Sequence, residues 1–137
     1  MLVRINSQDI NTWWPRCLPF LQMAADCSNG KDTVEGYREM LRGKPTQLWA
    51  CVDDDGEILM ALMTGAVHFA NYKTLRGICI GGKDRDKWLL PETLDSIEAW
   101  AKDQGYGGVE WVCREGFWKD LKGMGYKRSH VFCEKRL

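Results

Sequence analysis

Residues 47–69 constrain this chain most. Gln47-Leu48-Trp49-Ala50-Cys51-Val52 is followed by Asp53-Asp54-Asp55-Gly56 and then by the apolar run Ile58-Leu59-Met60-Ala61-Leu62-Met63. Asp-Gly accepts positive φ, so two apolar runs around it read as a β-hairpin. The second run, 57–69, predicts a long strand bulged near Gly65. Upstream of it the period is helical. Ile10, Trp13, Trp14, Cys17, Leu18, Leu21, Ala24 and Ala25 recur at helical spacing, with Ser7 or Asp9 to cap and Pro19 expected to kink or end the helix. Asp32 or Thr33 caps a second helix over 34–41, ahead of Gly43. A chain that changes from period 3.6 to period 2 in this way is a mixed α/β domain.

The ends follow the same logic. Residues 2–6 alternate as a short strand, and 74–80 form a strand that stops at Gly81-Gly82. Pro91 suits the start of a helix carrying Leu94, Ile97, Trp100 and Ala101, which Gly105-Tyr106-Gly107-Gly108 stops. Residues 109–113 read as a strand, 117–124 as a short helix and 126–135 as a final strand. At 137 residues this is one domain, 1–137, with no internal repeat or linker.

Charge excludes some partners. Lys plus Arg and Asp plus Glu each number 19, for a net charge of zero, so long-range attraction to nucleic acid is not expected. The six cysteines lack CxxC pairs and do not cluster with His68 or His130, so no metal site is expected and most read as buried reduced thiols of a cytoplasmic protein. No apolar run has the length of a membrane span, and Arg4 and Asp9 interrupt the N-terminal stretch. Seven tryptophans are many for this length. Trp49, Trp100 and Trp111 fall at core-facing positions; one of the adjacent pair Trp13-Trp14, with Trp88 and Trp118, is expected to be partly exposed.

The order βααβββαβαβ, with the ending Ala101-Lys102-Asp103-Gln104-Gly105, strand 109–113, short helix and Gly125-Tyr126, resembles the GNAT acyltransferase superfamily across the whole chain. The resemblance implies a twisted mixed sheet of about six strands, splayed between the fourth and fifth, with helices on both faces. It also implies acetyl-CoA as cofactor and a small amine or a protein amine as acceptor. The family's pyrophosphate loop, R/Q-x-x-G-x-G/A, falls here on Arg85-Asp86-Lys87-Trp88-Leu89-Leu90, so Gly81, Gly82, Lys83, Arg85 and Trp88 become the cofactor-binding candidates. Trp88 and Leu90 stand where the family has small residues, Pro91 removes a donor, and Asp84 and Asp86 repel phosphate. The family's tyrosine acid position is Leu121. Glu115 is the candidate base, ahead of Glu110, which alternates with Val109 and Trp111. Two functions follow from these features. One is a divergent N-acetyltransferase. The other is a catalytically inactive binding or assembly module with a protein partner, as in short GNAT-like proteins of tailed bacteriophages, some of them virion-associated.

Overall fold

The computed structural model describes residues 1–43 and 45–137. Strand β1 (Leu2–Ile5) leads through a 3-10 turn into helix α1 (Ile10–Asp26), followed by α2 (Val34–Met40). Strands β2 (Thr46–Val52), β3 (Ile58–His68) and β4 (Lys73–Gly82) form an antiparallel meander. After a second 3-10 turn come α3 (Pro91–Asp103), β5 (Gly108–Trp111) and α4 (Glu115–Lys122). The sheet runs β1-β2-β3-β4-β5, antiparallel except for the parallel β4–β5 pair.

Local chemistry explains most boundaries. The Thr33 side chain accepts a hydrogen bond from Gly36 N at 3.0 Å and caps α2. In the β2–β3 turn, Asp53 Oδ1 accepts from the amides of Asp55 and Glu57, both at 2.9 Å, and Gly56 takes a φ of 81°. The register of β2 against β3 slips at Cys51/Val52, and that of β3 against β4 at Met63/Thr64, one residue from the bulge expected at Gly65.

Strand alternation divides the core into two layers. Leu48, Ala50, Ala61, Met63 and Cys79 pack against Cys17, Leu21 and Ala25 of α1 and Tyr37 of α2. Trp49, Cys51, Met60, Leu62 and Leu75 face Leu94, Ile97 and Ala101 of α3 and Phe117 and Leu121 of α4. The expected helices on both faces are present.

Five expectations need correction. The sheet has five strands, not six, because 126–135 forms no ladder with β5. Helix α1 passes through Pro15 and Pro19 without ending at either; both rings lie on its exposed side. Trp88 is buried, 4% exposed, rather than partly open. Trp100 and Trp111 are only half-buried, whereas Trp49 fills the core as expected. Trp13, Trp14 and Trp118 are half-buried. Of the cysteines, Cys17, Cys51 and Cys79 are buried and Cys27, Cys113 and Cys133 exposed, fewer in the core than their apolar neighbours suggested.

Candidate functional site

Strand β5 is short, so it pairs with β4 only from Thr74↔Gly108 to Gly77↔Trp111. From Ile78 onward β4 runs free on that side, which is the expected splay. The position that ends the pairing is filled. A Cβ on Gly77 would lie 2.2 Å from Trp111 Cε3 and 2.3 Å from Cζ3, so the glycine makes room for the edge of the indole. Its ring centroid is 5.9 Å from that of Phe117. Trp111 Nε1 is buried without a well-formed hydrogen bond, and the group it approaches is the Tyr126 hydroxyl. A buried donor left this way costs about 1–3 kcal/mol.

The loop after β4 gathers all five cofactor candidates, and each has a partner within the protein. A Cβ on Gly81 would meet Phe20 O of α1 at 2.0 Å, so this glycine lets helix and strand approach. Gly82 leaves room for the Trp88 ring, whose Cε2 and Cζ2 would lie 2.9 Å from a Cβ there. Trp88 Nε1 donates to Lys83 O at 2.9 Å. Lys83 Nζ is 3.8 Å from Glu57, and Lys87 Nζ is 3.9 Å from Asp84. Arg85 ties the loop to α4 through Asp120 and the Gly116 carbonyl, the latter at 3.2 Å. Three of the loop's amides are engaged as well. Lys87 donates to Asp84 O, and Trp88 and Leu89 to Arg85 O, at 2.8–3.2 Å. Pro91, at the start of α3, has no amide hydrogen.

Along the outer edge of β5 lies an open cleft of about 1430 Å³ between that strand, α3, α4 and the C-terminal segment. Inside it, Glu110 Oε1 accepts from Thr74 Oγ1 at 2.5 Å and lies 3.3 Å from Arg76 Nη2. Arg76 Nε is buried without a partner. On the α3 side, Tyr126 donates to Glu98 Oε2 at 3.1 Å. Burial pushes the Tyr126 hydroxyl up to about 12; the Trp111 N–H opposes the rise, and the Glu98 and Asp95 carboxylates add to it. Glu115 opens α4, exposed, 3.5 Å from Arg128 Nη1. Glu110 and Glu115 therefore share the cleft, while the five loop candidates sit together at the far end of β4. The sequence pattern places none of Thr74, Arg76 and Glu98 at a site, and Tyr126 enters only as part of the Gly125-Tyr126 ending. Thr74 and Arg76 alternate with Leu75 and Gly77, and that alternation was the available signal.

No family model and no curated protein matches the chain. Solved structures do. A tetramutant of the BH1408 protein from Bacillus halodurans superposes with a TM-score of 0.74 at 10% identity, over 100% of this chain and 99% of that one. An aminoglycoside acetyltransferase from an uncultured soil metagenomic sample, in complex with sisomicin, superposes with 0.73 at 8% identity, over 100% and 95%. The fold is that of the GNAT acetyltransferases. A ribosomal-protein-alanine N-acetyltransferase from Brucella melitensis shares this GNAT fold with a TM-score of 0.67 at 10% identity, over 100% and 99%. Among the described residues no helix is long and apolar enough to cross a membrane, and no group of three or more His, Cys, Asp or Glu side chains is arranged to hold a metal.

Proposed function

We propose that this chain is a GNAT-fold binding module that works without acyl-CoA and receives a protein partner in the cleft beside β5. The loop carries this reading. A diphosphate needs several convergent backbone donors at a helix start. Here the amides of Lys87, Trp88 and Leu89 are engaged within the loop, and Pro91 offers none. The Lys83, Arg85 and Lys87 side chains are paired with carboxylates. A diphosphate would have to displace these contacts, which supports a cofactor-free reading. Calorimetric titration with acetyl-CoA tests the reading. It predicts no heat and no thermal shift at millimolar cofactor. A micromolar dissociation constant, about −8 kcal/mol, would overturn it.

A second reading keeps N-acetyl transfer to an amine, and Glu110 and Glu115 in the cleft favour it, since carboxylates there can hold an amine's proton. It assigns the base to Glu115 and the cofactor contacts to Gly81, Gly82, Lys83, Arg85 and Trp88. It therefore needs the loop to open around the ligand. Under this reading Glu115→Gln abolishes turnover while leaving acetyl-CoA affinity unchanged.

A further inference from the structure

The turn between α1 and α2 is built on a reactive pair of residues. Of the four asparagines only Asn29 precedes a glycine; Ser7, Thr12 and Tyr72 follow the other three. The peptide nitrogen after an asparagine can close a five-membered ring onto its side-chain carbonyl carbon, and a following glycine, lacking Cβ, obstructs that approach least. Asn29 and Gly30 are both exposed, with left-handed φ of 58° and 77°. One backbone bond closes the turn, Lys31 N to Ser28 O at 3.3 Å, and among the described residues the Gly30 amide donates to no backbone group. The Arg136 guanidinium lies against Gly30, since a Cβ there would be 3.2 Å from Nη2. A cation beside that nitrogen favours loss of its proton, the step that makes it a nucleophile.

Asn29 is also where the C-terminal segment is fastened. Its Nδ2 donates to Glu134 Oε1 at 2.9 Å, and its main-chain oxygen accepts from Arg136 Nη1 at 3.2 Å. Lys31 pairs with the same Glu134, and its Nζ lies 5.0 Å from the Phe132 ring centroid. Just before this anchorage, Lys127 to Phe132 form one wall of the cleft beside β5. The chemistry of one side chain therefore bears on whether that wall stays fixed.

We propose that Asn29-Gly30 is a self-modifying site whose reaction unfastens the C-terminal wall of the cleft. Gly30 N attacks Asn29 Cγ, so the N–Cγ bond forms and the Cγ–Nδ2 bond breaks. The Gly30 amide proton, carried by water, departs with Nδ2 as ammonia. A second water then opens the ring at either carbonyl and leaves aspartate or isoaspartate at position 29, with no oxidant or reductant consumed. Glu134 thereby loses its donor and faces a second carboxylate. Isoaspartate also lengthens the main chain and shifts the carbonyl that Arg136 holds. The site goes beyond the function proposed above and is the same whether the cleft receives a protein or an amine.

The test holds the full chain for days at mildly alkaline pH and body temperature. Mass spectrometry then reads the tryptic peptide 17–31, in which Asn29 is the one asparagine. In the folded protein the aspartate and isoaspartate forms should accumulate at no less than about one-tenth of the rate in urea, and amide exchange over 127–137 in the converted protein should quicken at least about tenfold. Asn29→Asp, which installs a carboxylate without the reaction, should show the faster exchange from the outset with an unchanged circular dichroism spectrum. A peptide that keeps its asparagine, or that converts only in urea, overturns the site. Unchanged exchange in the converted protein or in Asn29→Asp overturns the release.

Discussion

Trp49 and Trp111 both belong to the α3/α4 face of the sheet, and they are finished to different degrees. Trp49 is fully enclosed; its Nε1 donates to Thr64 Oγ1 at 2.8 Å, and Thr64 in turn donates to Gln47 Oε1 at 2.7 Å. That chain of bonds runs between β2 and β3, whose long antiparallel register supplies every partner. Trp111 ends a four-residue strand, half-buried, and its N–H finds only a poorly formed contact with the Tyr126 hydroxyl; Arg76 Nε is unmet. The centre of the sheet satisfies its buried polar atoms internally, whereas at the β5 edge two of them lack a well-formed bond.

Substitutions can break this contrast, and the largest effects belong to the centre. Leu62→Ala removes a fully buried side chain between β2 and β4 and should cost about 2–5 kcal/mol in urea denaturation. Val109→Ala on β5, half-buried, should cost less than half as much by the same measurement. Next come the two indoles. Trp49→Phe leaves the Thr64–Gln47 pair short of a donor and should lose about 1–3 kcal/mol. Trp111→Phe deletes an N–H that lacks a well-formed partner, so in urea denaturation it should lose less than Trp49→Phe does. Equal losses at both sites would erase the distinction.

A smaller effect concerns alkaline stability. Tyr126 is held protonated in the fold up to about 12, against an ordinary value of 10.0. Its contribution is whole below pH 10 and is lost as pH rises toward 12, because the unfolded chain ionises first. Tyr126→Phe should therefore flatten the fall in melting temperature over that window. The least effect is expected at the exposed end. Glu134→Gln weakens the hold of Lys31 and should leave the melting temperature unmoved while speeding amide exchange in 127–137.

The centre was also the part most legible in the sequence. Asp53 to Gly56, the Thr33 cap and Pro91 are short-range signals whose geometry is decided by their own neighbours, and each stands where the residues placed it. Trp88 was misjudged because a charged loop looks solvated. A 3-10 turn and the notch at Gly82 instead fold its ring inward, and neither is visible in the local pattern. Glu110 was ranked below Glu115 because its neighbours along the strand are apolar. The partners that matter, Thr74 and Arg76, come from across the β4–β5 ladder, 34–36 residues away. The final strand failed for a related reason: alternation says that a segment can pair, not that an edge will be offered to it.

Helix α1 carries a further consequence, in the order of folding. Pro15 and Pro19 delete two of its internal hydrogen bonds, at about 3 kcal/mol or more each, so the isolated segment cannot sustain a helix. It holds its shape because β3 and β4 receive it, with Phe20 O pressed onto Gly81 across some sixty residues of chain. The meander must stand before the helix can lie down on it. Leu21→Ala should then speed unfolding and leave the refolding rate almost untouched, the mark of an element that arrives after the barrier has been crossed.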